Sequence, residues 1–314
     1  MTELTIMLYL VTIFLFFVFL RRINAEYKEV DYTTLQFKIP DFHRWIKLMQ
    51  GSSIQVALKD IIAAIRRFSL VGMLGWQDVR QRYRRSTLGP FWLTISMGVI
   101  IGTIGIVFGS IFRAPLAEFL PFLACGMILW TFFTTVINEG CAGFISAERV
   151  IKQLPIPLFV HILRILWRNI LILGHNIVIL PLVFLAVGKP LTLYAFLAIP
   201  GFMLTVLNLT WVALVLGILC ARYRDLPQII ASLLNVIFYF TPIMWMPHLV
   251  PERVGGYILG FNPVFHLINI VRAPLLGQLP GMASWGMALA LAVLGWSFAL
   301  IVYGRYKRRI AYWL

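Results

Sequence analysis

Charge is scarce in this 314-residue chain. Asp, Glu, Lys and Arg together make up 12% of it, against 61% hydrophobic residues. Soluble domains run near about 25% charged and 45–50% apolar, so this composition cannot build a water-facing surface. Acid is scarcest of all. From residue 90 onward there are five carboxylates, Glu118, Glu139, Glu148, Asp225 and Glu252, and each falls at an expected helix end or loop. A proton-coupled secondary transporter keeps ionisable groups at membrane depth despite their cost. None lies mid-span here, and Glu139, beside the end of one run, is the nearest to such a group. A membrane-embedded glycosyltransferase or polyprenyl-phosphate enzyme needs clustered carboxylates to hold a divalent ion. No two carboxylates in this half lie within three residues of each other.

Other machinery is missing as well. The only Gly-Lys pair, Gly188-Lys189, is followed by Pro190, so the phosphate-cradling P-loop pattern is absent. The chain is not expected to bind and hydrolyse ATP by that route, and energy for pumping would come from a partner. Cysteine is limited to Cys125, Cys141 and Cys220. All three lie in or beside apolar runs, at an odd count and without metal spacing, so small buried hydrophobes are expected. The histidines His43, His161, His175, His248 and His266 are scattered. Ligand pairs come at close spacing, so these are read as structural. No catalytic, cofactor-binding or metal residue is expected.

What the chain has is apolar length. A crossing helix needs about 20 apolar residues, and runs at 4–20, 90–112, 119–138, 161–187, 193–220, 229–246 and 284–303 qualify. An all-α polytopic membrane protein follows. The first run is preceded by Glu3 and followed by Arg21 and Arg22. A signal peptide carries its positive charge before the apolar core, so 1–24 reads as an anchor, its start outside and its end in the cytoplasm.

The net charge of +15 suggests nucleic acid at first sight, but the cations lie between the apolar runs, as membrane topology demands. Alternating inward from the anchor puts 21–88, 139–160, 221–228 and the C-terminal tail in the cytoplasm. Twenty-one Lys and Arg then fall inside, against Arg113, Lys189, Arg253 and Arg272 outside. Arg164 and Arg168 lie within a span near its cytoplasmic end. The orientation is therefore multi-pass with a cytoplasmic C-terminus.

Two segments depart from plain spans. In 54–69, Ile54, Leu58, Ile61, Ile62, Ile65 and Phe68 share one helical face, with Lys59, Asp60, Arg66 and Arg67 away from it. That pattern suits a helix in the cytoplasmic interface, within an interfacial region at 54–88 that follows a linker at 25–53. The outer segment 247–283 is apolar but broken by Pro247, Pro251, Gly255, Gly256, Pro263, Pro274, Pro280 and Gly281. Two short helices that dip into the outer leaflet and return would fit, provided protein covers their backbone.

Residues 78–92 read Asp-Val-Arg-Gln-Arg-Tyr-Arg-Arg-Ser-Thr-Leu-Gly-Pro-Phe-Trp. This run resembles the start of the membrane domain in type-2 ABC exporters of the polysaccharide group, matching at Asp78, Arg82, Tyr83, Ser86, Leu88, Gly89 and Trp92. Val150 to Pro157, Arg222 to Leu226, Thr241-Pro242-Ile243, and Asn262-Pro263 with Arg272 resemble later family segments in the same order. The resemblance spans about 60 to 310 and implies an ABC transmembrane type-2 domain over 72–310. It implies a six-span core with an amphipathic interfacial gate helix and re-entrant outer helices, to which the N-terminal span is an addition. It also implies a homodimer in the bacterial inner membrane, ATP hydrolysed by a separate ABC ATPase subunit, and a polyprenyl-linked polysaccharide such as O-antigen or capsule as cargo. On this reading Glu148, Arg149, Lys152 and Pro155 contact the ATPase. Arg80, Arg82, Arg84 and Arg85 receive the lipid diphosphate, since guanidinium forks suit phosphate oxygens. Phe132, Phe133, Phe238, Tyr239, Phe240 and Trp245 are candidates for a sugar path.

Overall fold

The structure, a computed structural model, describes residues 53–82, 84, 91–247 and 259–314. These belong to one compact unit, Gly51–Leu314. The expected anchor at 1–24, the linker up to 52, Arg85 and the start of the outer segment lie outside the described residues.

The described residues are helical, with no strand among them. In chain order the helices are α1 (Ser53–Arg66), α2 (Phe68–Arg82), α3 (Phe91–Phe112), α4 (Leu116–Ser146), α5 (Glu148–Gln153), α6 (Phe159–Asn176) and α7 (Ile179–Ala186). A 3-10 turn (Leu193–Leu197) leads into α8 (Ala198–Arg222), followed by α9 (Leu226–Phe240), α10 (Pro263–Leu275) and α11 (Met282–Trp313). Among the described residues, five stretches are long and apolar enough to cross a membrane: Trp92–Phe112, Leu116–Gln153, Phe159–Ala186, Leu193–Arg222 and Met282–Trp313. They coincide with five expected runs.

The run at 229–246 turns out differently. Its helix, α9, has 15 residues and stops at Phe240, which at 1.5 Å per residue is about 22 Å, short of an ~30 Å hydrocarbon core. The cause is Pro242. It has no N–H to donate, and it forces Thr241 into extended backbone (ψ 132°). The expected loop at 139–160 is also partly helix, because α4 continues to Ser146. Likewise the basic tail through Arg309 is the last part of α11.

Helix α4 is central, with buried positions along almost its whole length. It packs on α8 at close range. A side chain at Gly140 would meet Ala213 at 2.8 Å, and one at Gly217 would meet the Gly140 carbonyl at 3.0 Å. Small residues let helix backbones approach where lipid supplies no hydrophobic drive. Helices α3 and α11 are peripheral and expose large apolar residues such as Val99, Ile106, Val293 and Leu294.

Helix α1 corrects an expectation. Its buried face is Ala57, Asp60, Ile61 and Ala64, packed on α11 and α6. Ile62, Ile65 and Phe68 stay exposed. The small residues make the protein contact, the large ones face outward, and Asp60 lies inside. Gly188 is one of two glycines with positive φ among the described residues. It takes φ +67° and closes α7, with Lys189 N–H donating to Phe184 O at 2.9 Å, the left-handed stop that glycine accepts without strain.

Candidate functional site

One end of the bundle gathers the cations. Helices α1 and α2, the short α5, the α8–α9 turn and the end of α11 meet there. Arg224 donates to the carbonyls of Trp313 and Leu314, and Lys307 reaches Asp60. The segments expected on the cytoplasmic side thus lie together. The turns around Arg113, Lys189 and Gly277 form the other end, where a side chain at Gly277 would touch Thr192.

At the basic end, five ionic side chains from three helices form a chain of pairs that the backbone of α2, carrying both Asp78 and Arg82, closes into a ring. Asp78 and Arg82 sit four residues apart on α2, and that spacing puts both on one helical face. Asp78 takes both the Nε and an Nη of Arg164, and Arg168 Nη1 at 3.1 Å. Arg168 Nη2 also reaches Glu139 at 2.5 Å, where Asn169 donates at 2.5 Å. Glu139 then accepts from Arg82 Nη2 at 2.9 Å through its other oxygen. So α2 contributes an acid and a base, α6 two bases and α4 an acid. Such alternation suits the cost of partial burial, because each carboxylate oxygen and most guanidinium groups find an opposite charge. The Nε of Arg168 is the exception, buried with no hydrogen bond among the described residues.

Glu139, read as lying just past a span end, is therefore inside a helix. Both its oxygens are engaged by arginines and Asn169 instead of facing a proton path. Of the four arginines assigned to a lipid diphosphate, Arg82 enters the ring, Arg80 and Arg84 are exposed, and Arg85 is outside the described residues. Asp60 anchors α1 nearby. It accepts from Phe159 N–H at 3.0 Å, Tyr303 Oη at 2.5 Å and Lys307 Nζ at 2.8 Å.

Helix α5 hangs from α4 by one residue, Ala147. Arg149, Lys152, Leu154 and Pro155 are exposed, and Lys152 pairs with Glu148 at 2.7 Å along the helix. The four residues expected to contact an ATPase thus form one outward ledge at the basic end.

The aromatic candidates separate. Phe132 and Phe133 are buried in the chain's own core, with Phe132 against Phe202 at 5.4 Å, so neither ring faces an open path. Phe238 packs between Trp130 and Tyr239. Tyr239 and Phe240 are exposed on α9, and Trp245 folds back to donate to Tyr239 O at 3.1 Å.

The opposite end explains a second group of motif residues. Asn262 caps α10 by accepting from Val264 and Phe265 N–H, and it donates to Thr241 Oγ1 at 3.0 Å. Arg272, fully enclosed, donates to Pro242 O at 2.6 Å and lies 4.0 Å over the Phe122 ring. Thr241, Pro242, Asn262 and Arg272 are thus one latch between the end of α9 and α10.

Apolar helices long enough to cross a membrane, with a charged ring and an outward ledge at one end, suit a membrane transport subunit. The model of the ABC-2 type transporter family matches residues 69–276, so the chain belongs to that family. It is 25% identical over 206 residues to the O-antigen export system permease protein RfbA of Klebsiella pneumoniae, a match covering 64% of this chain and 78% of that protein. The polysialic acid transport protein KpsM of Escherichia coli is 21% identical over 225 residues, 68% of this chain and 82% of that protein. RfbA of Myxococcus xanthus is 23% identical over 199 residues, with 63% and 76% covered.

The sequence assigns Arg164 and Arg168 no partner and points to Glu139 only as a proton-path group, so the pairing of these three ring residues is not evident in it. A signal was there: two arginines four apart in an apolar helix require partners, and Asp78 with Arg82 repeats that spacing on the neighbouring segment.

Proposed function

We propose that this chain is the permease of an ATP-driven exporter that moves a polyprenyl-linked polysaccharide of the O-antigen or capsule type across the bacterial inner membrane. The observation that carries the reading is α5: an exposed, charged ledge fused to the central helix of an ABC-2 family chain. In the working protein two copies would pair, and a separate ABC ATPase would press on Glu148, Arg149, Lys152 and Pro155. The basic end, including the C-terminus, would face the cytoplasm, where the excess of cations belongs. Helices α1 and α2 would act as the interfacial gate and α10 as a re-entrant outer helix. Helix α9 with the turn after it would complete the sixth crossing.

The cargo's diphosphate would arrive beside Arg80, Arg82, Arg84 and Arg85. Its sugars would slide over the exposed rings of Tyr239 and Phe240, with Trp245 beside them. Flat apolar faces suit sugar C–H groups without holding them in one pose.

The test is to purify the chain from its membrane and assay for a co-purifying ATPase, then repeat with Arg149→Glu and Lys152→Glu together. Loss of the ATPase from an otherwise folded variant supports the reading. A chain that purifies alone and still exports would sink it.

A further inference from the structure

The ionic ring is tight on two sides and loose on one. Asp78 is nearly enclosed, its side chain 9% exposed, and it is held by two arginines from α6. The link between Arg82 and Glu139 is a single bond of 2.9 Å, with Arg82 43% exposed. Among the described residues it is the only ion pair joining α2 to α4. Three guanidinium groups face two carboxylates here, so the ring carries an excess positive charge. Arg80 and Arg84 add exposed cations beside the loose side.

Glu139 therefore holds one arm of a guanidinium fork that a better anion would favour. A diphosphate carries more charge and more acceptor oxygens than one carboxylate, and forks bind it with two parallel bonds. Exchange at Arg82 would leave Asp78 bound to α6 and Glu139 bound to Arg168 and Asn169. Only the tie between α2 and α4 would be lost, and α4 is the helix that carries α5.

Resting on the exporter reading above, we propose that Glu139 is a built-in competitor for the substrate's diphosphate. An isoprenoid diphosphate head group displaces it from Arg82, and the resulting freedom of α2 reports bound substrate to the helix that ends in the ATPase contact. Arg82 is then the diphosphate-binding group, and Glu139 is a residue that sets its threshold.

The full chain with its ATPase, in phosphatidylcholine vesicles, is titrated with farnesyl diphosphate, and stimulated ATP hydrolysis is read. Glu139→Gln removes the competitor and lowers the half-maximal concentration about fivefold, the scale of one partly exposed ion pair. Arg82→Gln raises it by at least as much. Glu139→Asp, which shortens the reach but keeps the charge, moves it in the same direction as Glu139→Gln by less, and serves where the Gln variant folds poorly. A ring that is merely structural shifts both positions the same way or neither, and that result overturns the proposal. So does an unstimulated parent complex. If phosphatidylglycerol vesicles alone reproduce the opposed shifts, the occupant is a bulk lipid head group and the diphosphate assignment falls. Absence of any ATPase in the complex instead counts against the exporter reading.

Discussion

The two ends of the bundle are tied by different chemistry. At the basic end, α1, α2, α4, α6 and α11 are joined through Asp60, Asp78 and Glu139, each paired with Lys or Arg. At the opposite end, no ion pair occurs among the described residues. The ties run to neutral acceptors: Asn262 to Thr241, Arg272 to a carbonyl and a ring face, His266 and Asn269 to Ser284. The partly exposed Arg82–Glu139 pair can exchange partners, because water and other ions compensate its loss, whereas the buried Asp60 set cannot. Buried directional bonds to carbonyls cannot, since an unmet polar group there costs its full desolvation. The ties at the basic end are ionic and one of them is half-exposed, whereas those at the opposite end run to neutral groups.

The comparison breaks first at Asp60. Asp60→Leu would strand Lys307, Tyr303 Oη and the Phe159 N–H together, and removing one member of a buried ionic set costs about 3–5 kcal/mol. Asp60→Asn, which keeps an acceptor, should cost less. Thermal unfolding of the purified chain in detergent measures both. A loss for Asp60→Leu below about 1 kcal/mol would mean that α1 is held by its Ala57–Ala64 face alone.

At the opposite end the largest effect is steric. A side chain on Gly201 would lie 2.4 Å from the Ile270 carbonyl oxygen, so α8 and α10 must separate to admit it. Gly201→Ala should cost about 2 kcal/mol, in the range for overpacking, by the same unfolding measurement. An unchanged transition would show that the opposite end yields as readily as the basic one. Smaller again is Asn262→Ala. It removes the α10 cap and its bond to Thr241, and it should cost about 1 kcal/mol with the membrane helices intact.

Much of this organisation was legible in the residues, because apolar length reports a crossing whatever surrounds it. Five runs match five helices, and the breaker Pro263 does start a short helix, although Pro274, also expected to break it, lies inside that helix. What failed depended on partners. Asp60 was read outward because a lone acid on a helix normally is. Its three donors come from Phe159, Tyr303 and Lys307, far along the chain. The inner face of α1 is made of Ala57 and Ala64, which an apolar-face reading passes over. Phe132 and Phe133 look like any pair of aromatic residues in a span, and only the packing of Phe202 shows that they are core. The structure places Arg149, Lys152 and Pro155 outward, a position that the family resemblance, rather than charge alone, points to in the sequence.

The finest test of the contrast uses salt. Raising potassium chloride from 0.1 to 1 M shortens the screening length from about 10 Å to about 3 Å. The partly exposed Arg82–Glu139 pair should weaken by a few tenths of a kcal/mol, in line with exposed pairs. The buried bond of Arg272 to Pro242 O and the uncharged bonds of Asn262 should not change. Amide hydrogen exchange reads both ends in one sample. The last turn of α2 should exchange about twofold faster at high salt, a factor matching that energy, while α10 keeps its rate. Equal acceleration at both ends would show that salt loosens the whole bundle and that the basic end has no special freedom. No acceleration at α2 would mean that Asp78 alone fixes the helix, and that the Arg82 side of the ring contributes nothing to holding it.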